Sequence, residues 1–274
     1  MYTFPKSVEL KLERAAAQVR SLEEAVTSWV IANPLVATCE LREGRLGFRV
    51  TQQEFLQPAP LDHWGLLAGE CVHNMRSALD NLAFALARLN RDPPDRPRGV
   101  AFPIYTEKAL FEKNGRKNID QLTQPASELI EKVQPFQRDG SPAFGTPDRD
   151  ALVLLQWLSN NDKHQVPSVV LIAPTETSHS FNAAFQSEED AAANVPPDAT
   201  FWAGPLSAGA VLLEYRTTRP LASAGGKFEG KAIVAIQTSL EPQAIVPALR
   251  ALNQYVALVC AQFQHFFAPL QNEL

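Results

Sequence analysis

Residues 61–90 read LDHWGLLAGECVHNMRSALDNLAFALARLN, and this stretch decides the fold because it predicts one long helix. It lacks proline and is rich in helix-favouring residues, so it would extend about 45 Å. Apolar side chains recur along it at spacings of three and four and indicate a core-facing stripe: Trp64, Ala68, Cys71, Met75, Leu79, Leu82, Leu86 and Leu89. The opposite face mixes charges with a hydroxyl, an imidazole and a ring, as in a helix buried on two sides: Glu70, His73, Ser77, Asp80 and Phe84, flanked by Arg76 and Asn81.

The composition is that of an ordinary globular protein, with 45% hydrophobic residues and a net charge of −5. Proteins that hold duplex nucleic acid usually carry a basic excess, so a nucleic-acid role here would require a local patch. Cys39, Cys71 and Cys260 are isolated, which indicates buried free thiols in a reducing compartment. The N-terminus shows no signal core and no apolar run is long enough to span a membrane, so we expect a cytoplasmic protein without membrane contact.

Three further long helices are predicted, over residues 7–32, 148–163 and 241–270, because apolar residues recur in them with helical spacing. Asp148 is the expected N-cap of the second of these helices. Pro247 is expected to kink the third, because proline removes a backbone donor inside a helix.

Strands are predicted in two separate regions, residues 35–55 and 166–240, where β-branched residues alternate between turn signals. The first region reads as a hairpin that turns at Glu43 and Gly44. The expected fold class is therefore α+β: an antiparallel bundle of about four long helices with an antiparallel β-sheet packed against it. Because the second strand region lies between two bundle helices, we expect residues 1–274 to form a single composite domain.

The first candidate site lies on the central helix, where Glu70, His73, Arg76, Asp80 and Asn81 recur at close to helical spacing. A carboxylate, an imidazole and a guanidinium along one groove could bind an anion or transfer a proton. The same residues are equally compatible with ion pairs that hold two buried surfaces in register.

The second candidate site is Asp162, Lys163 and His164, at the end of a predicted helix. Cations are favoured there by the helix dipole alone, so these residues could also be simple terminal charges. We expect the two clusters to share one hollow, because both come from long helices that should pack together. The catalytic roles are assigned to His73, Arg76, Asp80 and His164, and the ligand-binding roles to Glu70, Asn81, Asp162 and Lys163.

No metal site and no cofactor are predicted. Glu70 and His73 have the spacing of one ligand pair in di-iron bundles, yet the remaining histidines are scattered. A mononuclear site made by His73, His164 and one carboxylate stays open. The glycine-rich phosphate-binding motifs and the serine nucleophile motif are absent from the sequence.

Three short motifs occur in order, RSALDNL at 76–82, FPI at 102–104 and DKH at 162–164, and together they resemble a family of uncharacterised bacterial proteins. The arginine on a bundle helix also resembles the signature of the HEPN superfamily, many of whose members are ribonucleases that act as dimers. That resemblance makes Arg76 the motif arginine and places Asn81 where the motif has histidine. The resemblance implies binding of a nucleotide or RNA, with a homodimer as one possibility. Because asparagine cannot transfer a proton at neutral pH, nuclease activity stays open and would need a substitute such as His73, one turn away.

Three functions are compatible with these patterns. The first is a HEPN-like protein that binds a nucleotide or RNA through the polar groove of the central helix. The second is an enzyme or binding protein for a small organic ligand seated between bundle and sheet, with Phe84, Trp157, Trp202 and Tyr215 as walls. The third is a structural or interaction protein whose polar stripes form a buried ion-pair network.

Overall fold

The computed structural model describes residues 4–142, 145–162, 166–172, 178–202 and 204–267. The helices of this described part are α1 Lys6–Ala32, α2 Leu61–Asn90, α3 Lys108–Leu110, α4 Gln124–Lys132, α5 Ala151–Asp162, α6 Glu188–Ala193 and α7 Ile245–Ala261. The strands are β1 Ala37–Leu41, β2 Gly47–Gln52, β3 Val169–Ile172, β4 Ser178–Phe185, β5 Asp198–Phe201, β6 Val211–Arg216, β7 Leu221–Glu229, β8 Ile233–Ile236 and β9 Gln243–Ala244. The protein is therefore α+β with antiparallel pairing, as predicted.

The chain divides into two compact units, each assembled from separate stretches. The helical unit contains most of α1 together with α2 to α5 and α7, and consists of Met1–Glu23, Asp62–Ser168 and Gln237–Leu274. The strand unit contains β1 to β8 and α6, and consists of Glu24–Leu61 and Val169–Ile236. Among the described residues, no helix combines the length and the apolar character that a membrane crossing requires.

The core of the helical unit is organised by α2, whose predicted apolar stripe is buried from Trp64 to Leu86. Two sequence predictions about helix ends are wrong. Helix α5 is capped by Asp150 rather than Asp148, because Asp150 Oδ1 accepts the N–H of Leu152 at 2.8 Å. Helix α7 begins at Ile245, so Pro247 lies in its first turn, where a missing N–H costs nothing and no kink is required.

The strand unit contains a four-stranded sheet in the order β1-β2-β6-β5, together with the antiparallel pairs β4–β7 and β3–β8. The β1–β2 hairpin turns at Gly44, as predicted, with φ of 71°. At the start of β2, the chain passes very close to β6: a Cβ on Gly47 would lie 2.0 Å from the carbonyl oxygen of Tyr215. Only glycine fits this crossing, which sets Phe48 opposite Tyr215.

The three thiols differ in exposure, and this predicts their reactivity. Cys71 and Cys260 are buried, and burial raises the pKa of each thiol to about 12. Cys39 is half-buried, and burial and then the neighbouring Glu40 raise its pKa as well, so its greater exposure is what distinguishes it. We expect one thiol per native chain to react readily with a colorimetric disulfide reagent at pH 8, and three to react after denaturation. Substitution of Cys39 by serine should abolish the native signal; any fast-reacting thiol in that variant would contradict the burial of Cys71 and Cys260.

Candidate functional site

The polar face of α2 is dominated by an ion pair between Arg76 and Asp80, one turn apart. Arg76 Nε donates to Asp80 Oδ2 at 3.2 Å and Nη2 donates to Oδ1 at 2.8 Å, which is a two-pronged geometry. The side chains are 16% and 37% exposed, so the pair is largely shielded from water on the arginine side. The sequence placed these residues together correctly, since helical spacing makes them neighbours.

The same two side chains hold the backbone of Phe102, in the FPI motif. Arg76 Nη2 donates to the Phe102 carbonyl at 2.6 Å, and the Phe102 N–H donates to Asp80 Oδ1 at 3.0 Å. These groups form a closed ring of charge-assisted hydrogen bonds, called here the Arg76–Asp80 clamp. The clamp gives a physical reason why an RSALD motif and an FPI motif occur together in one chain.

The extended segment after Phe102 is held a second time by the buried side chain of Gln134. Its Nε2 donates to the Pro103 carbonyl at 2.8 Å, and its Oε1 accepts the Tyr105 N–H at 3.1 Å. The segment is extended but is not part of a β-sheet. The buried amide of Gln134 supplies hydrogen bonds to two of its backbone groups, as a neighbouring strand would in a sheet. The segment is therefore fixed to the helical core at both ends.

On the α5 side, Arg76 Nη1 lies 3.4 Å from Gln156 Oε1, and Gln156 in turn donates to Asn160 at 2.8 Å. Arg76 thus contacts α2, the FPI segment and α5. Most of its donors are engaged by protein acceptors, and little of the guanidinium is left to bind an external anion.

Glu70 belongs to a different network, on the opposite flank of the same face. It accepts a hydrogen bond of 2.5 Å from Gln18 Nε2 on α1. The side-chain oxygen Oε1 of Gln18 accepts a hydrogen bond of 2.9 Å from Asn74 Nδ2, and Asn74 Oδ1 accepts one of 2.9 Å from Lys11 Nζ. Glu70 therefore connects α2 to α1 rather than to Arg76.

His73 lies between these two networks and is exposed, with Ser77 Oγ 3.4 Å from its Nε2. Asn81 is half-buried on the other flank of the face. Of the five predicted residues on α2, the structure thus joins Arg76 to Asp80, turns Glu70 toward α1, and leaves the imidazole of His73 in solvent.

The end of α5 packs against α2 at two glycines that the sequence analysis did not single out. A Cβ on Gly69 would lie 2.1 Å from Asp162 Oδ1, and one on Gly65 would lie 2.5 Å from the Pro167 carbonyl. The spacing of four between these glycines was the available signal for this close approach. Lys163 and His164 lie outside the described residues, so the predicted hollow is represented by Asp162 alone.

Within the described ranges, no three His, Cys, Asp or Glu side chains gather in a way that could hold a metal ion. Near the start of α5 and α7, the helical unit contains a cavity of about 330 Å³. Its polar wall includes Asp150, which accepts from Arg138 Nε at 2.5 Å and from Tyr255 Oη at 3.3 Å. Burial, and next the carboxylate of Asp150, raise the pKa of Tyr255, so this hydroxyl stays protonated and donates to Asp150.

A second and larger cavity, of about 450 Å³, lies within the strand unit, and we call it the aromatic cleft. Phe48 forms part of its floor and is 2% exposed. The Phe48 ring stacks on Tyr215 at a centroid distance of 4.8 Å and contacts Phe181 at 5.6 Å. The cleft is lined by Phe48, Phe181, Ala183, Phe185, Ala199, Phe201, Leu213 and Tyr215.

The sequence contained a signal for this cleft in the alternation of its strands. Phe181, Ala183 and Phe185 are two residues apart on β4, and Leu213 and Tyr215 are two apart on β6, so each set lies on one face of its strand. Of the four aromatic residues predicted to line a ligand pocket, Tyr215 lines this cleft. The other three do not: Trp202 is exposed and donates to the Pro205 carbonyl at 3.0 Å, while Phe84 and Trp157 are half-buried in the helical unit.

Comparison of the chain with protein-family models, with curated proteins and with solved structures found no match.

Proposed function

We propose that this protein binds a small and largely apolar organic ligand in the aromatic cleft of its strand unit. The observation that carries the proposal is the cleft itself: about 450 Å³, half open, with five aromatic rings among its eight lining residues. Ligand sites are typically concave, apolar and of about this size. A ligand that fits must present ring or alkyl surface to Phe48, Phe181 and Tyr215.

The cleft combines a fixed floor with an exposed wall. Phe48 and Leu213 are 2% and 3% exposed, whereas Phe201 is 52% exposed. A contiguous aromatic surface that remains open to solvent usually marks a place where another molecule binds, because burial of that surface is favourable. The buried floor fixes the shape of the site before the ligand arrives, which lowers the entropic cost of binding.

Recognition of a nucleotide or RNA through α2 remains a prediction and is not part of this proposal. Its motif arginine, Arg76, already has Asp80, the Phe102 carbonyl and Gln156 as partners. An anion would have to displace these acceptors, and the clamp on Phe102 would open. The geometry of α2 fits the third reading of the sequence better, in which its charges hold the helical unit together.

The proposal is tested with the neutral dye N-phenyl-1-naphthylamine, whose fluorescence rises when it enters an apolar site. We expect saturable binding with one site per chain. Substitution of Ala199 by tryptophan should weaken binding at least tenfold, because the added ring occupies the cleft that the exposed alanine borders. Substitution of Phe201 by alanine should weaken it by about tenfold, through loss of one aromatic wall.

Leu56→Ala is the matched control, because Leu56 is 78% exposed in the same unit and does not line the cleft. Thermal unfolding of each variant checks that the fold is retained. Dye binding that all three variants share with the parent protein would place the site elsewhere and overturn the proposal, as would the absence of saturable binding by the parent.

A further inference from the structure

The chemistry of the cleft restricts the charge of its ligand, an inference that rests on the proposed function. Aromatic rings present negative faces, so a cleft walled by ring faces attracts cations and repels carboxylates and phosphates. Phe48, between Phe181 and Tyr215, places three rings around one end of the cleft. A positive group that enters there exchanges water for the half-buried rings of Phe181 and Tyr215, because Phe48 itself is buried against them.

The charges of the surrounding chain have the same sign preference. Residues 181–215, which provide most of the cleft, contain no lysine or arginine. Their carboxylates include Glu188 and Glu189, which follow the cleft residue Phe185 closely. In the part of the chain that the structure describes, no salt bridge neutralises either of these two carboxylates, and both are exposed.

The basic residues of the four-stranded sheet are directed to its other face. Arg49 follows Phe48 on β2, and Glu214 precedes Tyr215 on β6, so strand alternation places both on the face away from the cleft. There Arg42, Arg49 and Arg216 lie 3.1, 3.3 and 3.1 Å from Glu214, and hydrogen bonds from Arg216 and then Arg49 lower the pKa of that carboxyl. Arg49 and Arg216 thus lie on the face of the sheet away from the cleft.

The cleft also discriminates among cations. Its side chains offer one polar atom, the hydroxyl of Tyr215, and all other lining side chains are hydrocarbon. A primary ammonium needs about three acceptors for its N–H groups, and a guanidinium needs more. A quaternary ammonium needs none, because its methyl groups cover the charge.

We propose that the aromatic cleft is a binding site for a quaternary ammonium compound with an attached ring or alkyl group. The rings contact the methyl groups of the cation, and the apolar part fills the remaining volume of about 450 Å³. The exposed carboxylates of Glu188 and Glu189, close in sequence to the cleft residue Phe185, raise the local concentration of the ligand.

Two probes of nearly identical shape isolate the charge: trimethylphenylammonium and its neutral carbon isostere, tert-butylbenzene. Each is titrated against the full chain loaded with N-phenyl-1-naphthylamine, and displacement gives its Kd. We expect the cation to bind at least tenfold more tightly than the isostere, with a preference that falls as salt is added. Benzenesulfonate, an anion with the same ring, should be the weakest of the three.

Two variants separate the contribution of the rings to cation binding from that of the carboxylates of Glu188 and Glu189. Phe201→Leu keeps apolar surface but removes a ring face, and should lower the ratio of cation to isostere affinity about threefold. The double substitution Glu188→Gln and Glu189→Gln should lower the same ratio at low salt and leave it unaltered at high salt.

The outcomes distinguish this inference from the proposed function. Displacement by both probes with equal affinity would refute the cation preference and leave the ligand site in place. Tighter binding of benzenesulfonate would likewise refute it. Failure of the dye and of all probes to bind would remove the site itself, and with it the inference.

Discussion

Substitution of Asp150 by alanine should lower the free energy of unfolding by about 3–5 kcal/mol, the cost of removing one partner of a buried ion pair. The Asp150 carboxylate is 1% exposed and accepts from Arg138, Tyr255 and the N–H of Leu152 at the start of α5. Its loss leaves the guanidinium of Arg138 without its anion and uncaps the helix. Urea denaturation followed by tryptophan fluorescence measures the change.

Asp148→Ala is the matched control, because Asp148 lies two residues away in the same turn but is exposed. It should leave the urea concentration at the midpoint of unfolding close to that of the parent protein. Asp150→Asn keeps an oxygen that can cap α5 and loses the charge, so it should fall between alanine and the parent. An Asp150→Ala variant that unfolds at the same urea concentration as Asp148→Ala would show that the buried network contributes nothing.

The second large effect is expected at the Arg76–Asp80 clamp. Asp80→Ala removes the two carboxylate oxygens that accept from Arg76, one of which also accepts the Phe102 N–H. It should lower the free energy of unfolding by about 2–3 kcal/mol. The estimate lies below that for Asp150 because the Asp80 side chain is 37% exposed and water compensates part of the loss. Hydrogen exchange should also become faster at the amide of Phe102, which the substitution leaves without its acceptor.

The ion pair between Arg88 and Asp92, at the end of α2, is the matched control for the clamp. It has the same spacing and a similar two-pronged contact, but its side chains are 54% and 53% exposed. Asp92→Ala should therefore destabilise the protein far less than Asp80→Ala and leave exchange at Phe102 unaltered. Equal costs for Asp80→Ala and Asp92→Ala would mean that the clamp acts as an ordinary surface ion pair.

If the clamp behaves as expected, the order of the three short motifs has a structural meaning. Arg76 and Asp80 from the first motif hold Phe102 of the second, and Gly69 lies against Asp162 of the third. These residues then have a role in holding the helical unit together, without any substrate between them. A ligand site elsewhere in the chain, such as the aromatic cleft, is compatible with that role.

Local patterns in the sequence determined the secondary structure and which residues of each element face a core. The spacing of three and four from Trp64 to Leu86 is sufficient to specify α2 and its buried stripe, because helix geometry relates neighbours along one chain. The same rule paired Arg76 with Asp80. It could not show that Phe102, far along the chain, takes the remaining hydrogen bonds.

Only the tertiary structure decided which polar groups are already satisfied and where an open surface remains. Arg76 and Glu70 lie on one helix, yet one contacts the FPI segment and the other contacts α1, because their side chains point to opposite flanks of the same face. The aromatic cleft likewise combines residues of β2, β4, β5 and β6. Their rings meet through the register of strands distant in sequence, and register depends on long-range pairing that no local pattern encodes.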